Sequence, residues 1–362
     1  MEPKARGASA RDAVSWHAFL SPDAWEKCNY LTALLEERDS PLPPEASTFL
    51  HDWLGEGWRA EPLHGDASVR GYFRVTGPDG ASYVLAYYPE QVRNEVPRFI
   101  GAYEAIAPHG RVPEVLRHSL FAVAQRDVGD QTLYDLLGQD RRQAMPFYRQ
   151  AIDLLQQFQG APGQDVNAPF TAESFQAELE MTRQFYVEQL MGLADSQPLV
   201  TWFEKLAAKI ASHPYVLCHR DYHGQNLHVF NNTLYMIDYQ DMRMGPDTYD
   251  LASLLRDRGA ADLLGAEAEQ ELLEYYRAGR GADASLIERY YETLLQRSIK
   301  ILGTFAKQPL VRGRMHYLDF IPPTINSVRL CLQKLPEFAP MAAEFPLDFS
   351  LEKARQAVAS RH

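Results

Sequence analysis

The chain has 362 residues, 46% hydrophobic and 23% charged, with a formal net charge of −12. This composition excludes a disordered or fibrous protein, and the acidic balance argues against a nucleic-acid or anionic-membrane partner. The length exceeds one comfortable core, so two lobes are expected.

The N-terminus has no apolar leader, and no run approaches the ~20 apolar residues of a membrane span, so a cytoplasmic protein is expected. Residues 1–44 read as an extension. Ser21-Pro22-Asp23 resembles a helix start, Trp25, Leu31, Leu34 and Leu35 give it one apolar side, and Pro41-Leu42-Pro43-Pro44 stiffens into a linker. Whether the extension packs on the body or meets a protein partner is left open. Residues 45–126 are strand-rich. Tyr72-Phe73-Arg74-Val75 and Ser82-Tyr83-Val84-Leu85-Ala86-Tyr87 flank the turn Gly77-Pro78-Asp79-Gly80. A helix follows with Phe99, Ala102, Tyr103 and Ile106 on one side, and Phe121-Ala122-Val123-Ala124 is a further strand. After a connector at Asp127-Val128-Gly129, residues 127–345 are mostly helical. Tyr148, Ala151, Ile152, Leu155 and Phe158 mark one helix, Phe175, Leu179, Tyr186 and Leu190 another, and Ile287, Tyr291, Leu294, Ile301, Leu302 and Phe305 a long one. Between them lie short strands at Tyr215–Cys218, Leu227–Phe230 and Leu234–Ile237, with Asn231-Asn232 as a turn. Residues 346–362 read as a tail. Cys28, Cys218 and Cys331 are few and far apart, as free thiols in a reducing compartment would be.

The chemistry concentrates in His219-Arg220-Asp221-Tyr222-His223-Gly224-Gln225-Asn226 and, after the hairpin, Ile237-Asp238-Tyr239-Gln240-Asp241. Asp221 follows a buried-type strand and opens a polar loop, where a carboxylate can orient a substrate hydroxyl and accept its proton. Asn226 and Asp238 supply the neutral and charged oxygens that suit magnesium on nucleotide phosphates. Carboxylate, amide and carboxylate in this order define a phosphotransferase. Asp241 and Arg256 are further candidates for contact with the acceptor.

These segments resemble the aminoglycoside phosphotransferase superfamily. With Gly65–Arg74, Asp127–Thr132, Gly245–Leu251 and Gln296–Ala306 added, the resemblance extends to the bacterial N-acetylmuramate/N-acetylglucosamine anomeric kinases over roughly residues 45–335. It implies an α+β, bilobal protein-kinase-like fold, with a small antiparallel-sheet N-lobe at 45–126 and a larger helical C-lobe at 127–345. It also implies ATP, Mg2+ and a small sugar substrate phosphorylated on its anomeric hydroxyl in cell-wall sugar recycling. By the same resemblance Asp221 is the base and Asn226 and Asp238 hold the metal. Ser68 and Arg70 cover the nucleotide phosphates, Asp127, Val128 and Gly129 meet adenine, and His219 and Asp250 support the catalytic loop. One departure stands out: the third strand carries no Lys for the phosphates. Arg74, or Arg70, is expected to replace it, oriented by Glu95. Other small hydroxyl acceptors (aminoglycoside, choline, ketosamine) and a pseudokinase-type nucleotide-binding module remain the alternatives.

Overall fold

The structure, a computed structural model, describes residues 42–63, 69–161, 167–194, 196–281 and 284–360. The extension up to residue 41 and Ser68 lie outside the described residues. The chain divides into two compact units, one comprising the described residues up to Val96 with Val115–Asp127, the other Pro97–Glu114 with the chain from Val128 onward.

The first unit opens, at the end of the expected linker, on a helix in a stretch that was expected to be strand-rich. In α1 (Pro44–Leu54) the proline stands at the first helical position, where a missing N–H breaks no hydrogen bond. Ala46, Phe49, Leu50 and Trp53 recur at helical spacing and pack with the buried Leu42 against the sheet. The sheet runs β1 (Arg59–Leu63), β2 (Gly71–Thr76), β3 (Ser82–Tyr87), β5 (Ala122–Arg126), β4 (Val115–His118), each neighbour antiparallel. Strand alternation turns Phe73, Val75, Leu85, Ala122 and Ala124 into the core under α1 and sets Arg74 on the other face. Each large apolar side chain buried there contributes about 2 kcal/mol.

The second unit begins within α2 (Glu95–Ile106) and resumes with α3 (Leu133–Gln139) and α4 (Arg141–Gln159). Asp140 caps α4 by accepting from the Arg142 N–H at 2.8 Å. The stripe Tyr148, Ala151, Ile152, Leu155 and Phe158 is wholly buried. Next, α5 (Ala172–Thr182) passes without a break into a π-helical segment, Arg183–Leu190, so the single helix expected from Phe175 to Leu190 changes its winding midway. After α6 (Gln197–Ala211) come two strand pairs. In one, β6 (Tyr215–Cys218) pairs with β9 (Arg243–Pro246); in the other, β7 (Leu227–Phe230) pairs with β8 (Thr233–Met236). The helices α7 (Tyr249–Arg256), α8 (Ala260–Leu264), α9 (Ala266–Gly279), α10 (Ser285–Arg312), α11 (Ile321–Lys334) and α12 (Leu351–Ala359) complete the unit.

The unit is built around α10. Every residue from Glu292 to Ile299 is buried, so the helix is enclosed on all sides there and not along one stripe. Ile287, Tyr291 and Ile301 of the expected stripe are consequently only half-buried. Gly303 lets α5 approach: a Cβ there would stand 2.7 Å from the Thr182 Cα, and the Thr182 hydroxyl donates to the Ile299 carbonyl at 2.8 Å. The segment expected as a tail ends in α12, whose Ala354 and Val358 are buried. No helix among the described residues is long and apolar enough to cross a membrane.

Candidate active site

Strand β6 is buried from Val216 to Cys218 and delivers the chain to His219. The turn that follows is fixed from three directions. Asp250, in the first turn of α7, accepts the backbone N–H of His219 at 2.6 Å and of Arg220 at 2.9 Å. The His219 ring Nε2 bonds the Ile237 carbonyl at 2.8 Å, and Arg297 Nη1 donates to the Arg220 carbonyl at 3.2 Å. Burial keeps the Asp250 carboxyl above its ordinary pKa, although His219 and those two N–H groups pull the other way. Arg220 is held at φ 82°, a left-handed conformation that costs a non-glycine residue about 1 kcal/mol.

Asp221 is half-buried, and its carboxylate takes no hydrogen bond from the described residues. Burial pushes its pKa up, but Lys300 and Arg297, followed by His223 and Arg220, outweigh burial and leave it below the ordinary carboxylate value. The group is therefore an ionised acceptor with nothing to accept. His223 behaves in the opposite way. Burial, then the charge on Arg258, lowers its pKa to about 4, so the ring is neutral at physiological pH.

The β7–β8 hairpin brings the remaining two residues beside Asp221. Asn231 and Asn232 sit at φ 49° and 58°, the two-residue turn with positive φ that matches the strand twist. Leu227 then pairs with Met236, which places Asn226 and Ile237 at the open end of the hairpin. The Ile237 N–H donates to the Asn226 carbonyl at 3.0 Å, and the Asn226 Nδ2 donates to the Asp221 carbonyl at 2.9 Å. Because its amide nitrogen is committed, Asn226 presents its amide oxygen. Asp238 follows in a left-handed conformation, with one carboxylate oxygen accepting from Gln240 Nε2 at 2.7 Å. Hydrogen bonds thus link the segments carrying Asp221, Asn226 and Asp238.

In the sheet unit, the two arginines expected to replace the strand lysine take different partners. Glu95 faces Arg70, whose Nε lies 3.9 Å away and whose guanidinium also stacks near the Tyr72 and Tyr88 rings. Arg74 turns instead to Asp127, its Nε 2.7 Å from the carboxylate, which also accepts from the Ser82 hydroxyl at 2.6 Å. Asp127 therefore ties the end of the sheet together through its side chain. In the helical unit Val128 is buried and the Gly129 carbonyl bonds His228 Nδ1 at 2.7 Å. Residues 28–204 contain no lysine, so no lysine among the described residues of the sheet unit can meet a phosphate.

Two acceptor-side expectations fare differently. Asp241 is half-exposed and ion-paired with Arg98. Arg256 is closed into a bidentate pair with the buried Glu269, Nε to Oε1 at 2.6 Å. Arg297, one of the basic residues of the long helix, is likewise spent, on Asp257 and the Ser253 hydroxyl. Residues missed from sequence are Arg243 and Phe170. They lie in no chemical motif, and only the pairing of Cys218 with Arg243 brings β9 beside the His219–Asp221 turn.

The chain belongs to the phosphotransferase enzyme family, whose profile matches residues 59–291. It is 27% identical over 298 residues to the N-acetylmuramate/N-acetylglucosamine kinase of Neisseria meningitidis serogroup B, covering 77% of this chain and 87% of that protein. The enzyme of the same name from Pseudomonas aeruginosa is 27% identical over 318 residues, 83% of this chain and 91% of its own. Among solved structures, ADP-bound aminoglycoside phosphotransferase APH(2'')-Ib superposes with a TM-score of 0.58 at 14% identity, covering 80% of this chain and 99% of that one. A choline/ethanolamine kinase family protein from Mesorhizobium loti gives 0.54 at 16% identity, covering 92% and 99%. The fold is thus the α+β, bilobal, kinase-like one.

Proposed function

We propose that the protein is a cytoplasmic, ATP-dependent kinase that phosphorylates the anomeric hydroxyl of an N-acetylated amino sugar, N-acetylmuramate or N-acetylglucosamine, in cell-wall sugar recycling. The observation that carries the reading is the unspent Asp221 carboxylate, hydrogen-bonded through its own backbone to Asn226 at the open end of the hairpin. The names of the relatives supply the acceptor.

In this reading Asp221 accepts the hydrogen bond of the sugar hydroxyl and aims its oxygen at the γ-phosphorus. The new O–P bond forms as the bond to ADP breaks, and the hydroxyl proton passes to the Asp221 carboxylate and on to solvent. Positioning supplies most of the rate. The Asn226 amide oxygen and the Asp238 carboxylate are hard oxygen donors, as Mg2+ requires, and would hold it. When bound, the ion neutralises charge on the nucleotide phosphates. Ser68, Arg70 and Arg74 are assigned to the nucleotide phosphates, with Glu95 orienting Arg70, and Asp127, Val128 and Gly129 to the adenine side. His219 and Asp250 hold the catalytic turn, and Asp241 is assigned to the sugar.

The direct test is ATP consumption with Mg2+ and a panel of N-acetylglucosamine, N-acetylmuramate, choline and kanamycin. Turnover is expected with the two N-acetylated sugars and formation of their 1-phosphates. Turnover confined to kanamycin or choline would replace the acceptor, and none with any hydroxyl compound would leave a nucleotide-binding module. A second expectation concerns the missing strand lysine. Arg70→Ala should weaken ATP binding by roughly 10- to 100-fold, the worth of a charge-assisted phosphate contact. Calorimetric titration with a non-hydrolysable ATP analogue measures it, and unchanged affinity removes Arg70 from the phosphate site.

A further inference from the structure

Arg220 and Arg243 pack on the same aromatic ring. Their guanidinium carbons lie 5.6 and 5.3 Å from the centroid of Phe170. That ring is a rigid platform: it stacks on Phe175 at 4.8 Å and leans on Tyr249 at 5.0 Å, and its backbone N–H bonds the Met244 carbonyl at 2.9 Å. Gly245 makes room for it, since a Cβ there would stand 2.8 Å from the Phe170 Cδ2. Such a platform costs little entropy to hold two cations in fixed positions.

Neither cation is closed into an ion pair with a described carboxylate, although Asp241 acts on Arg243 and Asp221 on Arg220 through space. Among the described residues the two guanidinium groups make no ion pair and no hydrogen bond, and the Nε of each is buried without a partner. The third arginine nearby, Arg98, is already tied to Asn167 Oδ1 at 2.9 Å and to Asp241. Burial, then the charge of Arg220, lowers the pKa of Arg243 against the opposing pull of Asp241. In a protein of net charge −12 these two guanidiniums put two positive charges on one ring, and Arg220 also acts on the neighbouring Asp221 carboxylate. Arg220 also keeps its side chain at φ 82°, where glycine would fit without strain. Strain of this kind persists where the surroundings over-determine it, and it clusters at functional sites.

We propose that Arg220 and Arg243 read a carboxylate on the acceptor sugar, the group that distinguishes N-acetylmuramate from N-acetylglucosamine. The proposal rests on the amino-sugar reading above. Two forked guanidiniums aligned by one ring match the two oxygens of a carboxylate, and the acceptor is the substrate that must come next to Asp221.

The test compares N-acetylmuramate, its carboxamide and N-acetylglucosamine as acceptors for the full-length wild-type enzyme and for Arg243→Met, Arg243→Lys and Arg220→Gly. In the wild type, kcat/KM is expected to fall roughly 10- to 100-fold from acid to amide. Arg243→Met and Arg220→Gly should bring the acid-to-amide ratio close to one, and Arg243→Lys should retain part of it. The glycine variant relieves φ 82°, so it probes the guanidinium without straining the turn. Comparable wild-type turnover of acid and amide overturns the proposal while leaving the kinase reading intact. So does an acid-to-amide ratio that survives Arg243→Met, or a rise in KM for ATP instead of for the sugar, which would assign the arginines to phosphate. No turnover of any of the three sugars sinks the amino-sugar reading itself.

Discussion

Asp221→Asn is expected to lower turnover by a factor on the order of 10²–10⁴ while leaving nucleotide affinity nearly unchanged. The substitution keeps the shape of the side chain and removes its charge. Its backbone carbonyl still receives the Asn226 Nδ2 at 2.9 Å, and the preceding turn remains pinned by Asp250, so the loop has no reason to move. What is lost is an ionised acceptor whose oxygens take no hydrogen bond from the described residues. Because Lys300 and Arg297 hold its pKa below the usual carboxylate range, Asp221 is already fully ionised at neutral pH and needs no further deprotonation. Steady-state kinetics with N-acetylglucosamine, paired with titration of an ATP analogue, measures both halves. Turnover within a few-fold of wild type would remove Asp221 as base.

Arg297→Met is expected to cost about 3–5 kcal/mol of stability, the largest effect among the structural side chains. Arg297 is 2% exposed, ion-paired with Asp257, and donates to the Ser253 hydroxyl at 3.0 Å and to the Arg220 carbonyl at 3.2 Å. Its guanidinium also stacks 4.2 Å from the Tyr249 ring centroid. Methionine fills part of the volume, but it leaves Asp257 buried at 9% exposure without its cation, which is where the cost arises. Replacing Asp257 as well, as Arg297→Met/Asp257→Leu, should recover a good part of the loss, since no unpaired charge is then buried. Urea unfolding of the two variants decides it. A single variant within about 1 kcal/mol of wild type would show that the pair is solvated and not structural.

Much of the architecture was legible from local pattern, because period and turn chemistry act over a few residues. The alternation of Phe73 and Val75 with Arg74, the paired asparagines 231 and 232, and the stripe from Tyr148 to Phe158 each specify an element within one window. The first described helix lies in the stretch from residue 45 that was expected to be strand-rich: the prolines before it point to a linker, while Ala46, Phe49, Leu50 and Trp53 carry the helical period. Proline at the first helical position is compatible with both. The long helix was read as one apolar stripe. Its middle is buried on every side, and that depends on what surrounds it.

For the site, sequence alone determined the order and chemistry of Asp221, Asn226 and Asp238, because a hairpin of fixed length dictates which residues meet at its open end. The tertiary structure alone decided the partners of the long charged side chains. Glu95 faces Arg70 and not Arg74, Arg256 is closed against Glu269, and Arg220 and Arg243 share the Phe170 ring. These pairings join residues tens of positions apart through flexible arms that reach several neighbours, so no periodicity encodes them. Only packing selects which carboxylate, carbonyl or ring each cation meets, and which is left facing a substrate.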